Sequence, residues 1–139
     1  MSRDSILQKS ESALVAKKIY IEAMNFQRTT VVSGNVRLTK SSICKNIAAI
    51  DENDYKCSLA FKMSDDEDST SLEIIVSGVF EFKADLEPDK KEVIITKNTM
   101  AILFPYLRSQ VTLLTAQPDV EPVILPPINI NALLQNMDS

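Results

Sequence analysis

Two segments of this chain alternate their side chains with a strict period of two, and that alternation limits the fold more than any other feature. From Tyr55 to Ser64, Tyr55, Cys57, Leu59, Phe61 and Met63 take one side while Lys56, Ser58, Ala60, Lys62 and Ser64 take the other. Leu72, Ile74, Val76, Gly78, Phe80, Phe82 and Ala84 then resume the same period. Successive side chains of a strand point to opposite faces, so each segment predicts a strand with one buried and one wet face. Only Asp65-Asp66-Glu67-Asp68-Ser69 interrupts them, which predicts a hairpin. The acidic run lacks the Asp-x-Asp-x-Asp-Gly spacing and distal Glu of a calcium loop. It reads as a solvated turn whose charges deter edge-to-edge pairing.

Upstream, Ala13 to Arg28 is rich in β-formers (Val15, Ile19, Tyr20, Ile21, Phe26) without clean alternation, which predicts a strand contacted on both faces. Asn35 to Lys40 alternates, Asn46 to Asp54 reads as a loop, and a second strand is expected between them. Residues 1–12 are polar apart from Ile6 and Leu7. They are expected to form a flexible arm, leaving residues 13–139 as one domain.

Past Pro88 the period becomes that of a helix, clearest from Asn98 to Ala116. Met100, Leu103, Leu107, Val111 and Leu114 fall within an arc of about 80°, and Ile102, Phe104, Tyr106 and Leu113 widen it. An apolar arc this wide exceeds what one sheet face can cover, so another subunit is expected on this helix, with those first five residues as the interface. Pro105 should remove one backbone hydrogen bond and bend the axis. Four of the six prolines then fall between Gln117 and Ile128, forcing an extended path that carries Val123, Ile124, Leu125 and Ile128. A short helix capped by Asn129 or Asn131 follows, presenting Ile130, Leu133 and Leu134.

Composition removes several kinds of chemistry. The chain has no His and only two Cys, Cys44 and Cys57, so a His-dependent nucleophile and a zinc site of imidazoles and thiolates are both excluded. The two cysteines read as free thiols. Gly34 and Gly78 are the only glycines, too few for a phosphate-cradling loop. With 15 basic against 19 acidic residues, and the basic ones scattered singly or in pairs, nothing resembles a basic patch, which argues against nucleic-acid binding. Neither a signal peptide nor a membrane span is legible, so a cytoplasmic protein without cofactor or metal is expected.

The motifs from Thr99 onward are more specific. Ile102-Leu103-Phe104-Pro105-Tyr106-Leu107-Arg108, followed by Leu125-Pro126-Pro127-Ile128-Asn129-Ile130-Asn131-Ala132-Leu133, closely resembles the carboxy-terminal signature of the SecB family of bacterial protein-export chaperones. Lys18-Ile19-Tyr20 with Asn25-Phe26, and Ser77-Gly78-Val79-Phe80, resemble the first and last strands of that family in order and spacing. The resemblance implies an α+β fold: a four-stranded antiparallel sheet packed by one long and one short C-terminal helix, assembled as a homotetramer, a dimer of dimers. It also implies an ATP-independent holdase that binds unfolded preproteins, keeps them competent for Sec export and passes them to the SecA motor. Val123, Ile124, Leu125, Ile128, Ile130, Leu133 and Leu134 are then the candidate groove for unfolded polypeptide, with contributions from the sheet side. Of the acidic positions that attract SecA in the family, only Glu73 keeps its carboxylate, because Ala23 and Gln27 stand at the others.

Two further readings compete. The resemblance also accommodates a specialised chaperone of one partner, such as the antitoxin of a toxin-antitoxin module. From another class, the chain could be a small apolar-ligand binder or an enzyme using Asp51, Glu52, Asp54 or Glu92. These acids look like loop and rim charges, and no pair of them lies in an apolar setting that would split their roles, so no enzyme is expected.

Overall fold

The structure is a computed structural model that describes residues 14–30 and 34–137. The arm expected over residues 1–12 lies outside the described residues. Four strands, β1 (Leu14–Arg28), β2 (Lys40–Ala49), β3 (Asp54–Ser64) and β4 (Thr70–Phe82), precede two helices, α1 (Pro88–Thr115) and α2 (Ile130–Met137). The strands form one antiparallel sheet in the order β1-β4-β3-β2. Helix α1 packs on β3 and β4. This is the expected α+β architecture.

The alternation in β3 and β4 sets which face is inside. Cys57, Leu59 and Phe61 of β3 and Leu72, Ile74, Val76, Phe80 and Phe82 of β4 are buried under the helix. Gly78 sits in the same row because Phe80 folds over it: a Cβ there would lie 2.5 Å from the Phe80 ring. On the opposite face, the Ser58 and Ser77 hydroxyls bond to each other at 2.8 Å and are themselves buried. The centre of that face is drier than the sequence suggests.

β1 is an edge strand, and none of its residues is fully buried, so it is not covered on both faces as expected. Its alternation is broken by two bulges, where register shifts between Ala16 and Lys18 and between Ile21 and Ala23. Each bulge inserts one residue and changes the phase, so that Leu14, Ala16, Ile19, Ile21, Met24 and Phe26 all lie opposite the inward residues of β4. The second strand is also displaced. Asn46 to Ala49, expected as loop, pair with Ser58 to Tyr55, and the turn is only the few residues around Asp51. The Asp51 carboxylate accepts the N–H groups of Asn53 and Asp54 at 3.0 and 2.9 Å. Val36, upstream of β2, forms a parallel bridge with Val120, and both are buried.

Helix α1 starts with Pro88 at its first turn, ten residues before its apolar period becomes clear, and its 28 residues span about 42 Å. Pro105 lies inside it. Two polar residues share its buried stripe, and each satisfies its hydroxyl by donating to the carbonyl four residues back: Thr99 to Ile95 at 2.7 Å and Thr115 to Val111 at 2.8 Å.

Candidate functional site

The proline-rich tail after α1 is held against that helix through its backbone. Val36 donates to the Asp119 carbonyl and accepts from Glu121 N–H, both at 2.8 Å. Further along, Thr115 Oγ1 accepts Val123 N–H at 2.9 Å and Thr112 donates to the Val123 carbonyl at 3.3 Å. Arg108 Nε donates to the Leu125 carbonyl at 2.9 Å. Past Pro126 and Pro127 the chain enters α2, where Asn129 accepts Ala132 N–H at 3.2 Å and Asn131 donates to the Lys97 carbonyl at 3.0 Å. Both asparagines therefore fix the start of α2.

This path leaves an apolar cleft of about 220 Å³ between the tail and the inner side of β2. Leu125, Ile128 and Leu133 form one wall, and Ile43, Phe61, Met63 and Phe104 form the rest, with Ser41 and Ser42 on the rim. Three of the seven residues expected for a groove thus line it. Ile130 and Leu134 turn into the core, each 3% exposed, because α2 uses them to close on α1 and the sheet. Val123 is partly buried against the core, and Ile124 faces outward with 75% of its surface exposed. A contribution from the sheet was expected, but sequence reasoning named neither the residues of β2 and β3 that supply it nor Phe104, because only strand register and helix packing bring them to the tail.

The expected helix interface falls differently. Met100, Leu103, Leu107 and Val111 have 0% of their surface exposed in the isolated chain, so they have none left for a neighbour. They pack on the sheet of their own chain, and only Leu114 of the five is partly exposed. The large apolar side chains that α1 turns outward are Val93, Tyr106 and Leu113. Between α1 and the tail a second, wider hollow of about 600 Å³ is lined by Pro105, Arg108, Thr112, Leu113, Ile124 and Leu125.

On the outer sheet face, Glu73 lies opposite Asn25 of β1, with Ala23 and Gln27 two residues to either side. The register therefore gathers the three positions into one patch. Glu73 is bridged to Lys62 at 3.3 Å. The neighbouring carboxylates are also paired: Glu22 with Lys56, Asp54 with Lys17 at 3.0 Å, and Glu81 with Lys17 at 3.4 Å and Lys83 at 3.3 Å. Lysine hydrogen bonds hold the carboxyls of Glu22 and Glu81 below the usual carboxylate range. The acidic turn is likewise internally engaged. Asp65 is buried and accepts the Ser69 hydroxyl and, at 3.0 Å, Thr70 N–H, while Asp68 meets Lys40 at 2.7 Å.

Comparison with known proteins places this geometry. A family model described as preprotein translocase subunit SecB matches residues 8–139. The protein-export protein SecB of Azoarcus sp. is 28% identical over 94 residues, which cover 65% of this chain and 62% of that protein. An uncharacterized protein of Methanocaldococcus jannaschii is 42% identical over 50 residues, 36% of this chain and 32% of that one. The matched stretches thus span less than two-thirds of either relative. Among solved structures, the SecB-like chaperone Rv1957 of Mycobacterium tuberculosis, in complex with a ChAD peptide from the HigA1 antitoxin, superposes with a TM-score of 0.67 at 11% identity. That match covers 92% of this chain and 99% of the other, and at such identity it speaks for the fold. With its family model matched from residue 8 to residue 139 and its sheet and helices arranged in this way, the chain belongs to the SecB family.

Proposed function

We propose that the chain is an ATP-independent holdase, a chaperone that binds unfolded polypeptide and delays its folding. The observation that carries this reading is the apolar cleft between Leu125, Ile128 and Leu133 of the tail and Ile43 of β2. An unfolded chain exposes both apolar side chains and free backbone groups. β2 is an edge strand, so the backbone on its open side is suited to pair with an extended segment while side chains enter the cleft. Backbone pairing is indifferent to sequence, and several shallow contacts along one client add through effective concentration. The homotetramer belongs to the same proposal, with Tyr106 and Leu113, 48% and 66% exposed, as its available apolar surface on α1.

For the destination of the clients we propose export through the Sec pathway, in line with the matched family and the export protein of Azoarcus. A specific observation favours a second reading, a chaperone of one dedicated partner such as an antitoxin. The patch that would attract a cationic SecA segment has Ala23 and Gln27 in place of acids, and Glu73 already meets Lys62. Losing anions from a surface that works by charge complementarity weakens and slows docking.

The test is a refolding assay with a reduced, slowly folding client. Micromolar chain should delay refolding without ATP, and Ile128→Asp should shorten the delay by placing a charge at the cleft. A wild-type chain that causes no delay ends the holdase reading. Proteins recovered with the chain from its own cells separate the two destinations: many exported precursors support export, and one constant companion supports the dedicated chaperone.

A further inference from the structure

Leu125 is a partition. It lines both the 220 Å³ cleft and the 600 Å³ hollow against α1. Its position depends on its backbone, and its carbonyl is held by Arg108 Nε at 2.9 Å across 17 residues of sequence. Two residues earlier, Val123 is held on both its N–H and its carbonyl by Thr115 and Thr112. Pro126 and Pro127, which follow, have no N–H with which to add another anchor. The Arg108 bond therefore holds the strap immediately before the two prolines, at the residue that lines the cleft, and Asn131 holds the chain again on the far side through the Lys97 carbonyl. A bond from a cationic donor to a carbonyl is also stronger than a neutral one.

We propose that Arg108 is a positioning residue that sets the width of the cleft, and through it which client side chain is accepted. This rests on the holdase reading above. At about 220 Å³ the cleft is smaller than the roughly 300 Å³ at which small-molecule pockets begin. Its ligand is one large apolar side chain of an extended segment, leucine or phenylalanine in size. Without the Arg108 bond, Leu125 swings toward the hollow and the cleft admits a bulkier ring.

The experiment uses polar, extended peptides carrying a single Ala, Leu, Phe or Trp at their centre, with binding followed by fluorescence anisotropy. Wild-type chain should prefer Leu and Phe over both Ala and Trp. Arg108→Met keeps the apolar stem but removes the donor, and should shift the Trp-to-Leu affinity ratio toward Trp by about threefold or more. That is a modest part of the 10-fold or larger effect that roughly one methylene has in a fitted pocket. Arg108→Lys, which retains a donor, should return the ratio toward wild type. Thr112→Val releases a neighbouring anchor and should shift it in the same direction, so the proposal stays testable if Arg108→Met does not fold. Uniform weakening of all four peptides, or an unchanged ratio in both variants, overturns the proposal while leaving the holdase reading intact. A wild-type chain that binds none of the peptides and delays no refolding overturns both.

Discussion

The Glu73 carboxylate lies 3.3 Å from the Lys62 ammonium, across β4 and β3 on the outer sheet face. An exposed pair of this kind contributes little to stability, so its consequence lies in what the face presents. Restoring Ala23→Asp and Gln27→Glu adds two charges flanking Glu73. Titration with the zinc-bearing segment of SecA should show tightening on the order of tenfold at low salt, shrinking as added salt shortens the reach of the charges. Unchanged affinity would remove the charge account of this patch.

Leu107 has 0% exposure beneath the sheet, whereas Leu113, six residues on, has 66%. A carboxylate at position 107 would be stranded in the core, and Leu107→Asp should cost on the order of 4 kcal/mol and melt or abolish the fold. Leu113→Asp should leave the circular dichroism unchanged but lower the mass of the proposed homotetramer, measured by light scattering. A full-sized assembly of Leu113→Asp would place the subunit contact off this face of α1.

What the sequence disclosed and what it withheld follow from the range of the forces involved. The period of two in β3 and β4 is a local signal and gave their faces directly. In β1 the bulges at Lys17 and Glu22 reverse the phase twice, so the pattern resembled burial on both faces although no residue of the strand is fully buried. The first ten residues of α1 are mostly exposed and carry little apolar period. The apolar arc of α1 was legible, but whether its centre meets a sheet or a sister subunit is a tertiary fact. For the cleft, the prolines announced the tail wall. The other wall is assembled when Ile43 pairs with Phe61 across β2 and β3 and Phe104 descends on them from α1, contacts that no local spacing encodes. Nor could an aperiodic proline-rich segment reveal that Ile124 turns outward while Ile130 turns in.

The two thiols should separate sharply by reactivity. Cys57 is fully buried on the inner face, and burial pushes its thiol up to about 11, while Cys44 is exposed on β2. The thiolate is the nucleophile, so at pH 8 the native chain should take up one equivalent of iodoacetamide, at Cys44. Mass spectrometry of the digested protein locates the label, and Cys44→Ser should abolish it until denaturant is added. Comparable labelling at Cys57 in the native state would contradict the packing of β3 under α1.

The turn between β3 and β4 should give the fold a defined weakness in acid. Asp65 is held below its ordinary value of 3.8 by the Ser69 hydroxyl above all, and also by the Thr70 and Ser69 N–H groups, against the opposing effect of burial. A carboxyl whose folded value is depressed contributes stability that is present above its unfolded value. That contribution is lost as pH falls through the folded value, because proton uptake then favours the unfolded chain. Asp65→Asn removes the charge and weakens the acceptor, so it should lower the urea midpoint clearly at pH 7 and pH 5. Below pH 3.8 the unfolded chain takes up its proton first, and the native carboxyl follows only as pH falls through its depressed value, so the gap between the two proteins should narrow progressively. A gap that stays constant from pH 7 to pH 3 would mean that the carboxylate's charge does not hold this turn, and that the shape of the side chain alone supports the backward step at Asp68, whose φ is 53°.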